Sequence, residues 1–259
     1  MNDPETGLPY ADWYIRFATN RLALAYTPDS LYANEINSEN WFEILSRPDV
    51  MVGIADPRFD AVGYRALMTY KFTSDHYDEP TVFMDMFGDQ MSYSFGYFPE
   101  GDMTTITIPK IVETVPGSHI LVRGASIQLI ALLESGDLDY AFEYESVIEQ
   151  HDLQMVSFPD AINLGAENVD YSRVVVESDY QRFATVDPVF RGERIGYGIT
   201  IPSSAPHPEQ AALFIAFLLG PEGRAIMEGD AHPVFDPAMA SQHENVPDIL
   251  SSLCEPETP

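Results

Sequence analysis

The chain has 259 residues, 45% hydrophobic and 12% aromatic, enough to bury the core of one large domain or two ordinary ones and too apolar for a disordered chain. It carries 41 acidic and 13 basic residues, a net charge of −28, with the acids spread along its whole length. That balance reads as a halophile's hydrated, acidic surface and argues against nucleic acid or an anionic membrane as partner, because no basic patch is present to neutralise phosphates.

No run approaches the roughly 20 apolar residues of a membrane-spanning helix. The opening MNDPETGLPY is polar and turn-rich, without the charged start, apolar core and cleavage site of a signal peptide. With Met1 as the true start, the chain is therefore expected in the cytoplasm. Cys254 is the only cysteine, which rules out an internal disulfide and a thiolate metal cluster. A small anion stays compatible with the charge. At about 1 M salt the Debye length is roughly 3 Å, so local N–H donors outweigh a screened global field.

From the N-terminus, Trp13 to Tyr26 reads as two strands or one bent strand, followed by a turn at Thr27-Pro28-Asp29-Ser30. Ser38 to Leu45 fits a helix opened by a capping box, and Arg47-Pro48 closes it. Val50 to Ala55 is a short apolar run, read as a buried strand and broken by Asp56-Pro57. Asp60 then takes an N-cap position, and Ala61, Val62 and Gly63 supply the first free N–H groups of a helix that continues through Tyr64 to Phe72. A strand, a tight loop and a helix N-terminus make an anion site, because unpaired N–H groups and the dipole point the same way. Asp60 as a cap and nothing more is the plainer alternative.

Asp75 to Gly117 is irregular and rich in Met, Phe and Tyr, which read as core and lid packing. Within it, Met91 to Phe98 and Thr104 to Ile108 suggest a hairpin around Pro99-Glu100-Gly101-Asp102. Ile120 to Val122 is a strand. Ser126 caps the helix IQLIALLES, and Gly136 follows its end. Leu138 to Tyr144 is a strand, Ser146 to His151 a short helix, and Leu153 to Phe158 a strand. This alternation predicts an α/β lobe with a mainly parallel, five-strand-like sheet, whose ligands sit beyond the carboxyl ends of the strands.

Glu143 lies in YAFEY, at the end of an apolar strand, where a carboxylate must be solvated, paired or coordinating. Asp60 likewise follows a strand's carboxyl end. Read from the residues alone, the two are a general acid and base, a cation site, or unrelated. Further on, Arg194 to Pro202 is a strand, His207 to Leu219 an amphipathic helix, and PEGRAIMEG the start of another. From Asp236 the chain turns polar and Pro-rich, read as a tail.

The stretches ADWYIRFATNRLALAYT, EINSENWFEILSRPDV, DPRFDAVGYR, LDYAFEYESVIEQHDL, INLG and HPEQAALFIAFLLGPEGRAIM together resemble the archaeal tungstate/molybdate-binding proteins of ABC importers, of haloarchaeal type. These are a branch of the type II periplasmic binding proteins, and the matching stretches cover most of Ala11 to Pro233 in the family's order. The resemblance implies an α/β fold of two lobes closing on a tetrahedral oxyanion, tungstate or molybdate, with no further cofactor. It implies that Asp60 and Glu143 add oxygens to the tungsten or molybdenum centre and complete a distorted octahedron. Ala61, Val62, Ser126 and Ile127 would lend N–H groups, and Tyr144 a hydroxyl. Where the family carries a cysteine between the acid and the glycine, this chain has Val62 or its neighbour Ala61. Sulfur in sulfate does not take extra oxygen ligands, so two carboxylates would repel sulfate.

The implied partners are the oxyanion and the permease subunits in the membrane. The implied location is outside the cell, membrane-anchored. The family also begins with a further stretch of about half a lobe carrying two serine loops. The expected layout is therefore a remnant of lobe I and the crossing strand over residues 1–20, lobe II over 21–188, the C-terminal part of lobe I over 189–235, and a polar tail over 236–259. Lobe I would be incomplete and binding weak. Two other functions compete. One is a hydrolytic or metal-dependent enzyme using Asp60 and Glu143. No Ser-His-Asp order, HExxH, P-loop or Rossmann fingerprint supports it, and the histidines (His76, His119, His151, His207, His232 and His243) lack ligand spacing. The other is an intracellular oxyanion sensor, for which no helix-turn-helix is evident.

Overall fold

The computed structural model describes residues 9–183 and 186–257. The opening residues 1–8, read above as polar and turn-rich, lie outside the described residues. The chain divides into two compact units, Arg21–Arg194 and a second made of Met1–Asn20 with Ile195–Pro259.

Arg21–Arg194 is an α/β unit built on a five-stranded sheet. Its strands lie in the order Ile120–Arg123, Val52–Ala55, Tyr140–Tyr144, Leu22–Tyr26, Gln154–Ser157. Val52–Ala55 runs parallel to both of its neighbours, whereas Leu22–Tyr26 runs antiparallel to Tyr140–Tyr144 and to Gln154–Ser157. The expected five-stranded, mainly parallel sheet is therefore present, with one reversed strand. Val52, Gly53, Ile54 and Ala55 are all buried, as a strand covered on both faces must be.

Helices Ala61–Tyr77 and Ile127–Ser135 follow the two adjacent parallel strands. The first runs a turn and more past the expected Phe72 and stops at Asp78, which takes the left-handed conformation. Under it sits an aromatic core: Trp41 lies against Tyr70, Phe142 and Phe158, with ring centroids 5.3, 5.8 and 4.8 Å apart. The Ser38 capping box does not form. Helix Trp41–Leu45 is entered at Asn40 without a side-chain cap, because Asn37 and Asn40 close the preceding turn on each other: the Asn37 N–H donates to Asn40 Oδ1 at 2.8 Å. Ser38 contributes its carbonyl, which accepts from the Tyr77 hydroxyl at 2.7 Å.

A four-stranded sheet was not anticipated in this unit, in the order Val189–Arg191, Val174–Ser178, Met103–Ile108, Gly96–Glu100. The expected hairpin forms with its turn at Gly101, whose φ of 58° suits glycine; Gly96–Glu100 pairs with Met103–Ile108, so the first strand starts five residues later than expected. Because Val189–Arg191 pairs with Val174–Ser178, the unit extends past the expected boundary at residue 188.

In the second unit the order is Gly196–Ile199, Tyr14–Thr19, Val234–Ser241, Cys254–Pro256. Trp13 to Tyr26 is thus two strands serving two different sheets. Helices Pro208–Leu219 and Pro221–Gly229 fall where expected. The polar tail expected from Asp236 is corrected. Val234–Ser241 pairs antiparallel with Tyr14–Thr19, Cys254–Pro256 adds a parallel strand, and Ala238, Ala240, Val246, Leu250 and Cys254 pack on Trp13, Ile15, Ile215 and Leu219. Small apolar residues alternating with polar ones make a half-buried strand, and prolines in the stretch hide that period. No helix among the described residues is long and apolar enough to cross a membrane.

Candidate functional site

Three parallel strands of the five-stranded sheet end side by side, with Ala55 opposite Arg123 and Tyr140–Tyr144 next to Val52–Ala55. The chain leaves each end differently, and the three exits converge.

After Ala55 the loop is folded by Asp56, not by Asp60. The Asp56 N–H donates to the Arg123 carbonyl at 2.6 Å, tying the loop to the neighbouring strand. The Asp56 carboxylate accepts a fork from Arg58, Nε at 2.9 Å and Nη2 at 2.6 Å, and Arg58 Nη1 reaches the Lys110 carbonyl at 2.7 Å. This bidentate pair is largely buried and stiffens the loop. Gly63 then permits the helix to start against the strand end: a Cβ there would stand 2.2 Å from the Ala55 carbonyl oxygen and 2.7 Å from the Pro57 nitrogen.

Asp60 is the N-cap of helix Ala61–Tyr77, in extended conformation, and its Oδ1 accepts from the Val62 N–H at 2.9 Å. Its other oxygen leaves the helix. Oδ2 accepts from the Ser126 N–H at 2.8 Å, so one carboxylate joins two strand-loop-helix junctions. Ser126 stands before helix Ile127–Ser135 with φ −61° and ψ −37°, and its side chain makes no cap bond there. The Ser126 hydroxyl lies toward the Glu143 carboxylate and favours its charged form.

Glu143 is 2% exposed. Its Oε1 accepts from the Tyr144 N–H at 2.8 Å. Burial pushes its carboxyl up to about 7, the bonds from Ser126 and Tyr144 pull it down, and the Asp60 charge pushes it up again. The two carboxylates are therefore electrostatic neighbours, linked through one residue, Ser126. Tyr144 is held by Arg65, whose Nη1 donates to the phenol oxygen, and burial pushes that phenol up to about 12.

The structure thus brings all seven expected residues to one end of the sheet, with a change of role for some. The Val62 and Ser126 N–H groups are engaged by Asp60. Among the described residues no hydrogen bond uses the Ala61 or Ile127 N–H. Ile127 is 54% exposed, so its backbone is its contribution. Sequence reading gave no part to Arg58 or Arg65. Both carry a signal in hindsight: Arg58 lies two residues after an acid in a loop, and Arg65 one helical turn after Ala61 on the same face. A cavity of about 240 Å³ borders Asp60 and Ala61 on the side of Phe59, Tyr64, Tyr180 and Phe190, and its lining does not include Glu143 or Tyr144. No cluster of three or more metal-ligating side chains occurs among the described residues.

Residues 5–230 match the family model described as bacterial extracellular solute-binding protein. A solute-binding protein of Methanococcus aeolicus is 35% identical over 248 residues, covering 95% of this chain and 68% of that protein. The molybdate/tungstate-binding proteins WtpA of Thermococcus kodakarensis and Pyrococcus abyssi are each 34% identical, covering 95% and 97% of this chain and 66% and 70% of theirs. The chain spans about two thirds of the length of these relatives.

Proposed function

The chain belongs to the bacterial extracellular solute-binding proteins, and from that membership we propose that it is the binding component of an ABC importer whose ligand is tungstate or molybdate. The observation that carries this reading is the pair of carboxylates, Asp60 and Glu143, electrostatic neighbours beyond the carboxyl ends of the parallel strands, with Ser126 beside both. Paired carboxylates facing an anion make sense when the central atom accepts more oxygen ligands. Tungsten and molybdenum do; sulfur and phosphorus at the centre of sulfate and phosphate do not.

In this reading Asp60 and Glu143 each give an oxygen to the metal centre, and the Ala61 and Ile127 N–H groups donate to the oxyanion's own oxygens. The Val62 and Ser126 N–H groups act through Asp60. A carboxylate has about four lone-pair sites, so an Asp60 holding two N–H groups still has capacity for a metal. Two helix N-termini, of Ala61–Tyr77 and Ile127–Ser135, add favourable dipoles. The importer's membrane permease is the protein partner, and binding takes place outside the cytoplasm. Membership in a solute-binding family supports a binding role.

Isothermal titration of the purified chain with tungstate, molybdate, sulfate and phosphate tests the reading. Saturable binding of the first two, with sulfate and phosphate at least about a hundredfold weaker (about 2.8 kcal/mol), is expected. Equal binding of sulfate, or none of tungstate and molybdate, overturns it.

A further inference from the structure

Given that the site holds a tungsten or molybdenum oxyanion, we propose that Arg65 is its positioning and charge-matching residue. It turns the Tyr144 hydroxyl into a donor aimed at the bound oxyanion, and it supplies the cation that lets two carboxylates and a dianion share one site.

The positioning follows from hydrogen-bond valence. A guanidinium has five N–H donors and no acceptor, so in the contact between Arg65 Nη1 and Tyr144 the phenol oxygen accepts. The phenol proton is then left for a different acceptor, and no hydrogen bond among the described residues uses it. A phenol, with an ordinary pKa of about 10, keeps that proton at neutral pH and so remains a donor. Tyr144 directly follows Glu143 on its strand, so a proton turned away from Arg65 belongs to the same strand end as the carboxylate pair.

The charge follows from what surrounds Arg65. It is half-buried, and no carboxylate among the described residues lies within ion-pair distance of it, in a chain with 41 acids. Its hydrogen bond to Tyr144 leaves several N–H donors without an acceptor among those residues. It is also held in place. Its guanidinium carbon lies 5.4 Å from the Tyr64 ring centre and 5.7 Å from that of Tyr144, and Tyr64 stacks on Phe190 at 4.2 Å with 5° between the planes. A fixed, half-buried cation, on the helix that Asp60 caps and bonded to the residue that follows Glu143, offsets the repulsion a dianion meets there.

The test is a binding cycle on the full chain, titrating tungstate into wild type, R65M, R65Q, R65K, Y144F and the R65M/Y144F double variant, with circular dichroism reporting folding. R65M is expected to weaken tungstate about 30–100-fold and Y144F about tenfold, with the double variant no weaker than R65M, because a misdirected Tyr144 has no bond left to lose. R65Q keeps an N–H for Tyr144 without charge, and R65K keeps charge without the fork. Both are expected between wild type and R65M, with R65K alone retaining the wild-type salt dependence. Effects of R65M and Y144F that multiply in the double variant overturn the positioning role, and wild-type affinity in R65M or R65Q overturns the charge role. If R65M fails to fold, R65Q and R65K decide. A wild-type chain that binds neither tungstate nor molybdate overturns the oxyanion reading itself, and the role of Arg65 with it; wild-type binding with unaffected variants overturns the Arg65 role alone.

Discussion

After Val52–Ala55 the chain enters its helix through Asp60, whose side chain bonds the Val62 N–H of that helix. After the neighbouring strand Ile120–Arg123 it enters through Ser126, whose side chain bonds nothing in its own helix and instead favours the charged form of Glu143. The first junction is self-sufficient: Gly63 lets it close on the strand end, and the Asp56–Arg58 fork fixes its loop. The second depends on the first, because its Ser126 N–H is satisfied by the far oxygen of Asp60. One junction organises, and the other passes that organisation to a buried acid. A site for a small anion needs this rigidity, since donors must stand where the ligand will be without being bound to water or to each other.

The largest expected effect comes from cutting the link. Asp60→Ala removes an N-cap and leaves the Ser126 N–H without its acceptor, so unfolding in urea should show a loss of about 2–4 kcal/mol, the sum of those two costs. Oxyanion binding should fall more than about a hundredfold, near 2.8 kcal/mol. Asp60→Asn keeps an acceptor for Val62 and should lose less than half as much stability while losing binding as fully. Equal stability losses in the two variants would show that the cap does not matter.

Glu143 gives the next effect, and it depends on pH. Its carboxyl is raised from 4.5 to about 7 in the folded chain, so the native state holds a proton that the unfolded chain releases. That contribution to stability is fully present below pH 4.5 and is lost as pH rises through about 7. In all, that contribution amounts to roughly 3 kcal/mol. Glu143→Gln should therefore be more stable than wild type at pH 8 and level with it at pH 4, read from urea midpoints at both. A wild-type advantage at pH 8 would mean that the ionised carboxylate is well solvated.

Much of this site was legible in the sequence. The Asp-Pro turn, the cap three residues later and a lone acid closing YAFEY locate two of the three strand ends, because caps and apolar runs are local signals. What the sequence hid was long-range. That Asp60 serves Ser126, 66 residues away, and that Arg65 serves Tyr144, 79 residues away, depends on sheet order, which no local pattern encodes. The run VVVES at Val174–Ser178 and the strand Val234–Ser241 were missed or misread for a related reason: one sits among loop residues, and the other carries a proline, Pro237, that masks its alternation.

Gly63→Ala sharpens the claim that the first junction closes on its strand. The added Cβ meets backbone at 2.2 Å, which cannot relax by a side-chain rotation, so a loss of about 1–3 kcal/mol is expected from overpacking alone. A neutral or stabilising substitution would mean that the helix start can move outward. Smallest is Ser126→Ala. A true N-cap serine costs about 1 kcal/mol to remove, and this one, which caps nothing, should cost less in urea below pH 4. It should nonetheless raise the Glu143 midpoint further, since the hydroxyl favours the charged form, and a pH titration of the carboxyl infrared band reads this directly.

The central claim is that Asp60 and Glu143 add oxygens to the metal of a bound oxyanion. X-ray absorption at the tungsten edge, on the chain mixed with tungstate, measures it. The account predicts a distorted octahedral tungsten in wild type, with two added oxygens at longer distance, and a return to the free ion's tetrahedral spectrum in Asp60→Asn with Glu143→Gln. A tetrahedral tungsten in a wild-type sample shown by titration to be saturated would contradict it.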